Sequence, residues 1–188
     1  MRNLSDQEII DSVRKGNSSD YSIIVNRYKN KAFSMLKRML KNEFDAEEIL
    51  QDCFLKAYNS LHNFKGESKF STWFYRIVYN SALTKLSSKK RKTELEMTSV
   101  EDHFNLESIY GADEFEKKDI SELVRETVSK LPERYSAILT MFYLNEMSIE
   151  EISEVMELSV SNVKVMLHRS RNSLRDLILN SRLAAELL

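Results

Sequence analysis

Residues 147–178 read MSIEEISEVMELSVSNVKVMLHRSRNSLRDLI, and their pattern sets the fold class. Ser148 with Glu151 three residues on has the form of a capping box, in which hydroxyl and carboxylate satisfy backbone amides at a helix start. Ile149, Ile152, Val155 and Met156 then fall on one helical face. The pattern breaks over residues 157–159 and resumes from about Val160, where Val163, Leu167, Leu174 and Ile178 form a second apolar stripe. Lys164, His168, Arg171 and Arg175 recur on another face of that second helix. A short helix, a tight break and a longer helix with one packing face and one basic face is helix-turn-helix form. The amino end of such a second helix holds the side chains that reach base edges in a major groove. Here these are Ser161, Asn162, Lys164, Val165 and His168, with Val165 suited to a thymine methyl and Lys164 to guanine. Arg169, Arg171 and Arg175 suit phosphates. Spacing alone fits a plain helical hairpin with a solvated basic face equally well, and a lone His168 is no metal ligand.

The rest of the chain points the same way. Only 3 Gly and 1 Pro in 188 residues disfavour a turn-rich β fold, so an all-α protein is expected. Ser5 and Glu8 form a first capping box, and Gly16 is placed to end that helix. Further helices are expected from about Asp20 to Leu40, Asp45 to Ser60, Ser71 to Ser87, Ile120 to Ser129 and Glu133 to Leu144. From Thr93 to about Asp119 the periodicity fades and the chain is acidic. The net charge of −1 hides a division: +8 over residues 1–92, −7 over 93–130 and −2 over 131–188. This predicts two helical domains, 1–92 and 120–188, joined by a flexible acidic linker over 93–119.

Several function classes are excluded. A single Cys53 makes no internal disulfide and no zinc site of the usual ligand number, and it reads as a small core residue. The sequence offers no paired carboxylates, nucleophile and base set, phosphate-cradling Gly loop or metal cluster, so no catalytic residue, cofactor, metal or small-molecule substrate is expected. Without a signal sequence or a long apolar run, the protein is expected in the cytoplasm.

Residues 64–80, FKGESKFSTWFYRIVYN, carry six aromatics beside Lys65, Lys69 and Arg76. One face of a helix from Ser71 buries Phe74, Ile77, Val78 and Ala82, which leaves Phe64, Phe70, Trp73, Tyr75 and Tyr79 only partly accounted for. Aromatic rings interleaved with cations are what unpaired DNA requires, a π-face for each base and a charge for each phosphate. An aromatic-rich core with a basic rim is the other reading of the same composition.

Taken in order, these segments resemble the sigma-70 family of bacterial transcription initiation factors, in its compact extracytoplasmic-function form. FKGESKFSTWFYRIVYN resembles the segment that melts and reads the minus-10 element. DAEEILQDCFLKAY (45–58) resembles the core-polymerase-binding helix, and residues 131–175 resemble the domain that reads the minus-35 element. The resemblance implies polymerase contacts from Asp45, Glu48, Gln51, Asp52 and Phe54. It implies minus-10 contacts from Phe64, Lys65, Phe70, Trp73, Arg76 and Asn80, with the loop before the helix receiving a flipped base and Trp73 wedging the upstream edge of the bubble. The partners it implies are core RNA polymerase, promoter DNA as duplex and as melted non-template strand, and an anti-sigma factor that holds the protein at the inner membrane face. The acidic linker resembles a connector threaded through the polymerase, with Asp113, Glu114 and Glu116 along it. The chain departs from the family pattern at Thr84 and Lys85, often Asp and Arg, and at Glu157, where Asn or Gly usually makes the turn. It departs again at Ser161-Asn162 and at Val165. A regulator that binds duplex DNA without polymerase, and a helical adaptor for acidic partners, are the competing readings.

Overall fold

A computed structural model of the chain describes residues 4–97, 124 and 127–179. Helix α1 (Asp6–Arg14) starts at the predicted box: Ser5 accepts from the Glu8 amide, and the Ser5 amide donates to Glu8 Oε2 at 2.7 Å. Gly16 follows at φ 105°, a left-handed turn that glycine makes without steric cost. Helix α2 (Tyr21–Leu40) ends on a left-handed Lys41. Asn42 then caps α3 (Glu43–Asn59) by accepting from the Asp45 amide at 3.0 Å. Helix α4 spans Phe70–Met97, about ten residues beyond the expected end. Its last turns are Lys, Arg and Glu, good helix formers with no Gly or Pro to stop them, so it runs through the basic run 89–92 into the stretch read as linker. The rest of the expected linker, with Asp113, Glu114 and Glu116, lies outside the described residues.

Helix α5 (Glu133–Leu139) follows Pro132 and widens into a π-type turn over Thr140–Leu144. The second predicted capping box is present, and α6 (Ile149–Met156) starts from it. Glu157 adopts the left-handed conformation, φ 56° and ψ 42°, and α7 (Val160–Leu179) follows. No β-strand occurs among the described residues.

The core of the first bundle gathers Ile24, Met35, Leu36 and Met39 of α2, Cys53 of α3, and Phe74 and Val78 of α4. The second gathers Ala137, Ile138, Met141, Ile152, Val155, Val163 and Leu167. The two are in contact, α4 packing on α6 and α2 on α5, so α4 is covered by α2 and α3 and by α6 as well. This settles the surplus of aromatics. Phe64, Phe70, Phe74, Tyr75 and Tyr79 are all buried, and only Trp73 is half-exposed. Five of the six rings therefore serve the core, and Trp73 is the one that reaches the surface.

The α3–α4 contact is braced by charge. Lys85 reaches Asp45 at 3.2 Å and Glu48 at 2.7 Å, and Lys89 pairs with Asp45. The hydrogen bond from Lys89, aided by Lys85, outweighs desolvation and holds the Asp45 carboxyl below its usual range. A depressed carboxyl contributes stability above its unfolded value, about pH 4, and loses it as pH falls through the folded value. Asp45→Asn should therefore lower the urea midpoint at neutral pH, by an amount worth about 0.5–1 kcal/mol for so exposed a network. The difference from wild type should shrink as pH falls through the folded value of Asp45, where its carboxyl becomes neutral as well. Urea titrations at neutral pH and along a descending acid series check this.

Candidate nucleic-acid interface

The base-reading residues expected on α7 are all on its surface. Ser161, Asn162, Lys164, Val165, His168 and Arg169 are exposed, while Val163, Leu167 and Ser170 form the buried side. Ser159 caps the helix by accepting from the Asn162 amide at 3.2 Å, which fixes where this face begins. Arg175 is exposed too. Arg171 has other business: its guanidinium lies 5.4 Å from the Phe142 ring centre and 5.6 Å from that of Tyr143, and its Nε donates to the Tyr143 hydroxyl at 2.8 Å. It clamps the π-type turn to α7, an arrangement worth about 0.5–1 kcal/mol at an exposed site.

The second surface is built on α4. Trp73, Arg76 and Asn80 come together with Lys56, Ile77, Ser81 and Thr84 around a groove of about 420 Å³ between α3 and α4. Lys56, whose Nζ lies 3.3 Å from Ser81 Oγ, was not singled out from the sequence. Its position on α3 gives it no place in the aromatic stretch, and only the packing of α3 on α4 brings it there. Lys65 is exposed on the loop before α4. Phe64 and Phe70 are not, at 5% and 3% exposure. Their ring centres lie 5.6 Å apart and about as far from Trp73, so they form the base on which the loop stands rather than a surface for bases.

Two cations of this region face carboxylates of the helix-turn-helix. Arg76 Nε donates to Glu157 Oε1 at 3.0 Å, and Lys69 Nζ meets Glu151 Oε1 at 2.8 Å. Burial pushes the Glu151 carboxyl up, but hydrogen bonds from Lys69 and the Ser148 amide outweigh it and hold the group below its ordinary range. Glu151 thus caps α6 with one oxygen and holds Lys69 with the other.

Along α3, Glu48, Gln51 and Asp52 are exposed, Glu48 while paired with Lys85, whereas the less exposed Asp45 is engaged by both lysines of α4. Phe54 is a correction. It is 8% exposed and stacks on Phe74 with ring centres 4.8 Å apart, so it belongs to the core. The exposed apolar groups are instead Phe44 at 84%, Leu55 at 61% and Tyr58 at 39%. At 3.6 residues per turn, Phe44, Glu48, Gln51, Leu55 and Tyr58 share a sector of about 80°. That periodicity was the available signal for Phe44 and Leu55.

Among the described residues no helix is long and apolar enough to cross a membrane. Residues 24–92 match the family Sigma-70 region 2, and residues 121–174 match Sigma-70, region 4. The chain is 31% identical over 173 residues to the ECF RNA polymerase sigma factor SigW of Bacillus subtilis, covering 88% of this chain and 92% of that protein. It is similar in fold to CnrH, solved in complex with the cytosolic domain of CnrY: TM-score 0.67, 22% identity, 94% of this chain and 99% of that one. It is also similar in fold to the sigma factor RpoE of Bartonella quintana, solved in complex with the anti-sigma factor NepR: TM-score 0.64, 17% identity, 87% and 99% covered. With both sigma-70 regions in order along a chain that matches an extracytoplasmic-function sigma factor over nearly its full length, the protein belongs to the sigma-70 family, in its extracytoplasmic-function group.

Proposed function

We propose that the chain binds core RNA polymerase and directs it to promoters, reading the minus-35 element with α7 and the minus-10 element with the α3–α4 groove and the loop before it. It acts as an initiation factor in the cytoplasm, where core polymerase works, and the phosphodiester chemistry stays with the polymerase. The observation that carries this reading is that one molecule bears an exposed basic recognition helix and a separate groove joining Trp73, Lys56, Arg76 and Asn80. A regulator that only binds duplex DNA has no use for the second, nor for the exposed Phe44 and Leu55 on α3.

In this reading Lys164, Val165, Asn162, Ser161 and His168 meet bases, and Arg169 and Arg175 meet phosphates. Arg76 and Lys56 neutralise the strand backbone, Trp73 stacks at the bubble edge, and Asn80 hydrogen-bonds in the groove. Phe64 and Phe70 support the loop. Glu48, Gln51, Asp52, Phe44 and Leu55 face the polymerase. An anti-sigma partner is proposed because RpoE of Bartonella quintana was solved with one.

Multi-round transcription by purified core polymerase on promoter-sized genomic fragments tests the proposal. With the protein present, transcripts should start downstream of a common pair of elements, and without it they should be absent. Tight sequence-specific duplex binding by the free protein, with no effect on core polymerase, would favour the duplex-only regulator.

A further inference from the structure

We propose that Arg14 is a positioning residue for minus-10 reading: by holding the carbonyls of Leu61 and Phe64 it sets the shape in which the loop of residues 65–69 meets an unpaired base. This rests on the promoter-reading role proposed above. Arg14 lies in the last turn of α1, remote in sequence from the loop. Its Nη2 donates to Leu61 O at 2.7 Å and to Phe64 O as well. Leu61 opens the 3-10 turn Leu61–Asn63 and Phe64 ends it; Leu61 O already accepts from the Phe64 amide at 3.2 Å and takes the guanidinium as a second donor, so one cation spans both ends of the turn. Phe64 leaves that turn in an extended conformation, so its carbonyl is the last anchored point before the chain becomes exposed.

The other end of the loop is anchored by the buried Phe70. Between the two, Lys65, Gly66, Glu67 and Lys69 are exposed, and Gly66 turns through φ 75°. A Cβ placed on Gly66 would meet only Gln7 Oε1, at 3.8 Å, so α1 approaches the loop a second time there. The anchor is itself fixed. Asp6 takes both the Arg27 guanidinium and the Tyr28 hydroxyl from α2, which pins the start of α1. At its far end Ser12 donates to Asp20 at 2.5 Å and accepts from Asn17 at 3.1 Å, and Asp11 lies 3.8 Å from the guanidinium.

The rings of Phe64 and Phe70 secure the fold of this region; the guanidinium aims the backbone. A contact that discriminates bases must be held within about 0.5 Å by its supporting groups. Loss of Arg14 should therefore cost base discrimination at the loop before it costs folding.

The experiment uses the full chain with core polymerase on a promoter found by the transcription assay, with every base tried at each unpaired non-template position of the minus-10 element. The ratio of initiation rates between best and worst base measures discrimination. Arg14→Met should reduce that ratio about tenfold at one position, the size of one lost base contact, and leave the other positions and minus-35 preferences unchanged. Arg14→Lys, which keeps the charge but not the fork, should recover part of it. Gly66→Ala, which strains an exposed loop without touching the core, should weaken the same position. Arg14→Met retaining all ratios within twofold, or losing initiation equally on every promoter variant, would overturn the inference. If Arg14→Met does not fold, Gly66→Ala with unchanged ratios overturns it. A wild-type protein that directs no transcription would instead refute the promoter-reading role itself.

Discussion

Leu55→Glu should weaken binding to core RNA polymerase by about 30-fold without shifting the thermal midpoint, and Phe54→Ala should do the reverse. The two residues are neighbours with opposite environments. Phe54 stacks on Phe74, its own backbone carbonyl accepts from the Tyr21 hydroxyl at 2.8 Å, and it is 8% exposed. Truncating such a ring typically costs about 3–5 kcal/mol, a large part of the roughly 5–15 kcal/mol that holds a domain together. Leu55 is 61% exposed on the sector that also carries Phe44, Glu48, Gln51 and Tyr58. Apolar groups held in water on a helix face rimmed with carboxylates contribute nothing to the bundle, and gain by burial against a partner. A glutamate there adds a charge that the complex must desolvate. Fluorescence anisotropy of labelled protein titrated with core polymerase, beside thermal melts, separates the two effects. Wild-type affinity for Leu55→Glu would remove α3 from the polymerase interface.

What could be read from the sequence was what local rules govern. Both capping boxes, the left-handed Gly16, the break at Glu157 and the exposed face of α7 depend on residues within a turn or two of each other. What could not be read depends on partners distant in the chain. The aromatics of α4 point to several sides of one helix, and periodicity does not say whether the further sides meet bases or α6. Arg171 shares a stripe with Lys164 and His168, yet the π-type turn at Thr140–Leu144 brings two rings against it, and such a turn has no sequence signature. Phe54 was assigned by resemblance against the phase of its own helix, where the exposed sector already favoured Leu55.

Glu157→Gly should strengthen the helix-turn-helix while loosening its hold on the first bundle, two effects of opposite sign in one variant. A non-glycine residue at φ 56° costs on the order of 1 kcal/mol, which glycine removes. The same change removes the carboxylate that engages Arg76. Lys69, Thr72 and Arg76 follow one another at helical steps, so Thr72 sits between the two ion pairs; it is 2% exposed, and its hydroxyl finds no partner among the described residues. An unpaired buried hydroxyl works against the contact, and the two exposed ion pairs that flank it are screened by salt. Removing one of these pairs should therefore tilt the contact between the bundles open. Small-angle scattering should show wild type expanding between about 50 and 500 mM salt, with Glu157→Gly expanded already at the lower value. Thr72→Val, which removes the unpaired hydroxyl at nearly constant shape, should act the other way and keep the protein compact at higher salt. Phosphate and Glu157 compete for the same guanidinium, so the expanded variant should bind a single-stranded minus-10 oligonucleotide about tenfold more tightly than wild type. A Glu157→Gly protein that stays compact and binds the strand no better would mean that apolar packing of α4 on α6, rather than charge, holds the two bundles together.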